Sequence, residues 1–213
     1  MYEVDIAGLT QLLQEGRAGA DYAWANRSEL IARKHTYTLY GPHSPSLGAS
    51  IPSSLVPTKV RQLRKTTRRK DYIVYDLDAS YKPLRTIVML DYTKCDCVFH
   101  HFELNGAIYT YHFDKYGRPE YNDRICVLKY RDGKPCYYGD MTATYIFAEF
   151  YEYLGQDRMG ITCYSFAPNA AHTQFGFPVD WNAPIGAENS PVTRHYREEA
   201  VQYIDFSHWF VVD

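Results

Sequence analysis

The rhythm of apolar and polar positions changes twice along this chain, near residue 70 and again near residue 167. In the first third, Leu9, Leu12 and Leu13 recur at helical spacing behind Asp5, which predicts a short capped helix ending near Gly16. Ser28 is placed to cap a second helix into Leu30 and Ile31. No period survives between residues 41 and 57, where Pro42, Pro45, Pro52 and Pro57 mark a Pro- and Ser-rich loop. Over residues 57–70 Val60 and Leu63, with Val56 just before, give one apolar stripe, and Arg61, Arg64, Lys65 and Arg68 fall at i, i+3, i+4 and i+7 of a basic face.

From residue 71 to 166 the period shortens to two, with turn residues at close intervals, as in an antiparallel meander. The predicted strands are 72–76, 85–90, 97–104, 107–113, 124–130, 144–151 and 161–166. Residues 143–154 also fit a helical face through Ile146, Phe147, Phe150 and Leu154, and their aromatic content decides for a strand. After Pro168 comes a loop, and then Ser190-Pro191 opens a predicted C-terminal helix through Tyr196, Ala200, Tyr203 and Ile204, followed by an apolar run from Trp209 to Val212. The expected fold is a single α+β domain over 1–213. Residues 1–70 are its helical and irregular part, 71–166 an aromatic-rich antiparallel meander of about six to eight strands, curved or half-closed like half a barrel, and 167–213 a loop with the C-terminal helix.

One hairpin can be built in register. Asn105-Gly106 sits between two alternating aromatic runs, the signature of a two-residue turn whose central residues both take positive φ. Leu104 then opposes Ala107, Phe102 opposes Tyr109, His100 opposes Tyr111 and Val98 opposes Phe113, on one apolar face. The other face carries Cys97, His101, His112 and Asp114. These are ligand types of a zinc-like divalent metal, although no spacing such as Cys-x-x-Cys accompanies them. His100 is expected in the core, bonded to a tyrosine hydroxyl. A second hairpin at Asp132-Gly133 pairs Leu128 with Tyr137 and Tyr130 with Pro135, and Pro135 places that strand at an edge or lengthens the loop.

Composition sharpens this picture at two points. Tyrosine supplies 21 of 213 residues, and such rings suit half-buried pleated surfaces. The net charge of −2 hides an uneven distribution, because seven of the 23 basic residues lie between Lys59 and Lys70 with no acid among them, and the remainder of the chain is strongly acidic. Five unpaired-looking cysteines fit a reducing compartment, and no apolar run reaches the roughly 18–20 residues of a membrane span. A soluble cytoplasmic protein is therefore the expectation.

The segment Tyr72-Ile-Val-Tyr-Asp-Leu-Asp resembles the first motif of the haloacid dehalogenase phosphatases, which would make Asp76 a nucleophile and Asp78 an acid. Downstream of the motif the chain departs from that family, with antiparallel hairpins in place of crossovers and no acid after Gly139-Asp140. Asp76 and Asp78 remain an alternative acidic pair for a metal. Glu149 and Glu152 suggest the paired acids of a glycosidase. Phosphate-binding loops, dinucleotide fingerprints and the Gly-x-Ser-x-Gly elbow do not occur. The expectation is a non-catalytic protein, without a cofactor, that presents a tyrosine-rich sheet to a protein partner, as a toxin-neutralising or adaptor protein would. The alternatives are a metal-dependent hydrolase or nuclease using the Cys/His/Asp set, and nucleic-acid binding through Arg61, Arg64, Lys65 and Arg68.

Overall fold

The computed structural model describes residues 5–42, 72–80, 82–90, 94–113, 124–132, 134–142, 145–156, 158–166 and 192–200. The predicted basic helix over 57–70 and nearly all of the loop over 41–57 lie outside them. Two helices precede the sheet, α1 (Ile6–Ala25) and α2 (Arg27–Ala32). Asp5 caps α1 as its position implies, its carboxylate accepting from the Gly8 N–H at 2.8 Å. α1 does not stop near Gly16 but continues for two and a half further turns. Gly16, Gly19, Ala20 and Ala23 are its buried residues there, so Gly16 belongs to the packed face and is not a terminator, and Gly19 meets Tyr109 of the sheet. α2 is capped by Asn26, without a side-chain bond, and Ser28 lies inside it.

The strands are β1 (Tyr37–Pro42), β2 (Tyr72–Leu77), β3 (Pro83–Leu90), β4 (Lys94–Leu104), β5 (Ala107–His112), β6 (Arg124–Arg131), β7 (Lys134–Met141), β8 (Ile146–Tyr153), β9 (Arg158–Phe166) and β10 (Thr193–Ala200). They form one antiparallel sheet in sequence order. It has ten strands where six to eight were expected, and it is open: among the described residues β1 pairs only with β2, and β10 only with β9. The C-terminal helix is absent from the described residues. Residues 193–200 of that segment are β10, in register with β9 from Thr193↔Ser165 to Ala200↔Arg158. A Ser-Pro start suits a helix, but the edge of β9 satisfies the backbone of these residues, and pairing overrides the local preference. Residues 146–153 are a strand, as their aromatic content indicates.

At Asn105-Gly106 both central residues have positive φ, 50° and 72°, and the pairs Leu104↔Ala107, Phe102↔Tyr109 and His100↔Tyr111 form as the turn dictates. The second hairpin is shifted. Tyr130 pairs with Pro135, but a bulge between Lys129 and Tyr130 takes up Cys136, so Leu128 meets Tyr138 and not Tyr137. β7 is a central strand despite Pro135, because its pairing with β8 begins at Tyr137, beyond the proline.

α1 lies across β5, β6 and β7. A Cβ on Gly19 would stand 2.4 Å from the Tyr109 ring, and one on Gly139 of β7 would stand 2.9 Å from Leu12. The helix is thus pressed onto the sheet at positions without side chains. Beneath it lie Phe102, Tyr109, Tyr111, Ile125, Val127 and their neighbours. On the other face, Leu39, Tyr75 and Leu77 of β1 and β2 join Ile108, Leu128, Tyr138 and Ile161 in a second buried cluster. In a flat sheet β2 and β5 stand about 14 Å apart. Their side chains reach one cluster because the sheet curls with this face inward.

Candidate functional site

The curled inner face collects the polar groups. His101, 2 % exposed, sits between two hydroxyls, its Nε2 2.6 Å from Thr86 Oγ1 and its Nδ1 2.9 Å from Thr110 Oγ1. One ring nitrogen donates and the other accepts, so the imidazole is neutral and fully engaged. Burial, and then the nearby His100 and Arg33, push its pKa down to about 3. His112 shares the face, its ring 5.5 Å from that of Phe99. Asp114 and the side chain of Cys97 lie outside the described residues, although the Cys97 backbone pairs with Val88. Among the described residues no three His, Cys, Asp or Glu side chains come together as a metal-binding group.

Further along the same face, Glu149 of β8, Cys163 of β9 and His195 of β10 are paired in one row across three strands. Glu149 is fully buried and receives Arg197 Nη2 at 2.7 Å and the Tyr151 hydroxyl at 2.9 Å. Arg197 Nη1 reaches the Cys163 sulfur at 2.6 Å. Beside this row, Arg124 clasps Asp140 through its Nε at 2.7 Å and its Nη2, and Cys126 lies within 3.7 Å of the same carboxylate. Burial first, then the neighbouring carboxylates, push the Cys126 thiol up to about 12 and the Cys163 thiol up to about 11. Both are protonated near neutrality, opposite to what an activated nucleophile requires. His101, on the same face, has both ring nitrogens taken up by threonine hydroxyls. Among the described residues, Glu149, Asp140, His101 and the two thiols of this face are engaged in ion pairs and hydrogen bonds.

Asp76 and Asp78 do not converge. Asp76 is buried, held by Arg85 at 2.8 Å and by the Thr38 hydroxyl at 3.1 Å, with His35 Nδ1 3.6 Å away. Asp78 lies beyond the end of β2 and accepts the backbone N–H groups of Ser80 and Lys82 in a tight turn. Glu149 and Glu152 also part: strand alternation places Glu149 on the inner face and Glu152, exposed, on the other. Arg61, Arg64, Lys65 and Arg68 are outside the described residues. The Glu149–Arg197 pair is invisible to sequence reasoning because the residues around Arg197 read as a helix, where Arg197 has no register with Glu149. The one signal is a carboxylate in the apolar phase of an aromatic strand.

Half of the tyrosines with described side chains are buried, among them Tyr75, Tyr109, Tyr111, Tyr138 and Tyr151. The aromatic-rich sheet nevertheless displays Tyr37 on β1, Tyr196 on β10 and Tyr145 just before β8 at 39 %, 47 % and 46 % exposure. No helix among the described residues is long and apolar enough to cross a membrane. No known protein family matches the chain, and no curated protein or solved structure does so either.

Proposed function

We propose that this is a non-catalytic binding protein whose partner is another protein, engaged along the rims of the sheet where Tyr37 and Tyr196 are displayed. The observation that carries the reading is that exposed aromatic rings stand on the two terminal strands of the sheet while the Cys126 and Cys163 thiols are buried and protonated and His101 is enclosed. A rigid ring with a polar tip offers contact area at little entropic cost, and such rings dominate protein interfaces. The acidic balance outside residues 59–70 favours a protein over nucleic acid. A toxin-neutralising or adaptor role in the cytoplasm fits this description, and the protein works without a cofactor.

The test starts with a photo-crosslinking amino acid at position 196 or 37 in cells of the source organism, and mass spectrometry identifies the captured protein. Calorimetry on the two purified proteins then compares wild type with Tyr196→Ala and Tyr37→Ala. A loss of affinity of about tenfold or more in either variant is expected of a ring at the centre of an interface. Unchanged affinity in both overturns the assignment of the rims. A stoichiometric transition metal whose removal abolishes a hydrolytic activity overturns the non-catalytic reading and revives the enzyme alternative.

A further inference from the structure

Two side chains from the sheet take over the last carbonyls of α2. Arg85 Nη1 of β3 donates to the Ile31 carbonyl at 3.3 Å, and His100 of β4 donates to the Leu30 carbonyl. The segment after the helix is tied down by Arg33, whose Nη2 donates to the His101 carbonyl at 2.5 Å. A six-residue helix has too few internal bonds to hold itself, so these contacts, with Leu30 in the core, keep it in place.

His100 is 5 % exposed and its Nδ1 has no hydrogen-bond partner. Its ring stands edge-on to Phe113, 5.3 Å between centroids, and Arg27 of α2 lies over the same Phe113 ring at 5.6 Å. The charged and titratable groups around it are largely basic. Arg33 follows α2, Arg85 comes from β3, His112 from β5, and His101 is its neighbour on β4. Exposed His35 adjoins Arg85. Among the described residues, the acids in the surroundings are Asp76 of β2, already engaged by Arg85 and Thr38, and Glu29 on the outer side of α2, which acts on Arg33. A proton on Nδ1 would create a cation without a hydrogen-bond partner for that N–H, beside two arginines. The negative end of the helix would welcome a cation, but burial outweighs it and holds the His100 pKa down at about 4.

We propose that the seam between α2 and β4 is an acid-operated release, in which protonation of His100 lets α2 and the Arg33 segment leave the sheet while the β5–β7 core under α1 stays folded. Freed from the seam, His100 regains an ordinary imidazole affinity for protons. Acid therefore draws the equilibrium toward the open form from about pH 6.5 downward, and the effect saturates near pH 4.

Amide exchange of the full chain, corrected for intrinsic rates, tests this between pH 6.5 and 4.5. The opening population for residues 27–36 is expected to rise about 40-fold, while amides of β6 change far less. In His100→Gln, which retains a donor for the Leu30 carbonyl but does not titrate, the rise should shrink to within a few-fold. Carbon-detected NMR of wild type, which does not depend on a variant folding, should show His100 neutral in the closed form down to about pH 5. Any of three results overturns the proposal: His100 titrating near 6.5 in the closed form, the same pH dependence in His100→Gln, or simultaneous loss of protection in α2 and β6.

Discussion

The closest approach of helix to sheet gives the sharpest test of the packing. In Gly19→Ala the new methyl group would lie 2.4 Å from Cδ1 and Cε1 of Tyr109 and 2.9 Å from Cδ1 of Ile125, roughly 1 Å inside ordinary contact distance. Neither neighbour can yield easily. Ile125 is fully buried, and Tyr109 is stacked on Phe102 with an interplanar angle of 8°. Overpacking of this kind costs about 1–3 kcal/mol, and the better helix propensity of alanine returns at most about 1 kcal/mol. The net loss should be about 1–2 kcal/mol. With a urea m-value of about 2 kcal/mol/M, the unfolding midpoint falls by roughly 0.5–1 M. The fluorescence of Trp24, which packs edge-on against Tyr111 and Phe113, follows the transition. In a Tyr109→Leu background the penalty of Gly19→Ala should shrink, since the ring it strikes is gone. If Gly19→Ala is as stable as wild type or more so, the helix does not press on the sheet at this point, and the account of why α1 carries buried glycines fails.

Further consequences concern the inner face. Arg197→Met removes a cationic partner of buried Glu149 and should cost about 3 kcal/mol, whereas Glu149→Gln, which leaves a partly exposed arginine, should cost about half of that or less. The double variant should recover much of the loss in urea unfolding, and equal losses in the two single variants would refute the asymmetry. The raised thiol pKa values predict an alkaline limit. Unfolded thiols ionise near pH 9 before the buried ones do, so their contribution is intact below pH 9 and is lost as the pH rises through about 11 to 12. In native protein at pH 8, Cys126 and Cys163 should react with a thiol reagent far more slowly than after denaturation. Reaction at the free-thiol rate would show that they are accessible.

Much of the meander was legible because its signals are local. Alternation fixes which side chains share a face, and Asn105-Gly106 admits essentially one turn geometry, so the β4–β5 register could be written down in advance. Gly16 misled for the opposite reason. A glycine in a helical pattern reads equally as a stop or as a place of close contact, and at Gly19 of the same helix the deciding atoms belong to Tyr109 and Ile125, far away in the chain. The hairpin at Asp132 lay between these cases: the turn was recognised, but the bulge that absorbs Cys136 shifted one of the two expected pairs.

From its sequence alone, the chain determines an antiparallel, tyrosine-rich meander behind N-terminal helices, since periodicity and turn chemistry act over a few residues. Only the tertiary structure decided that Thr193–Ala200 joins the sheet, that its Arg197 neutralises Glu149, and that His101 is sealed between two threonines. Each of those outcomes depends on a partner distant in the chain, and a buried charge or an open strand edge is satisfied by whichever group the fold brings within reach.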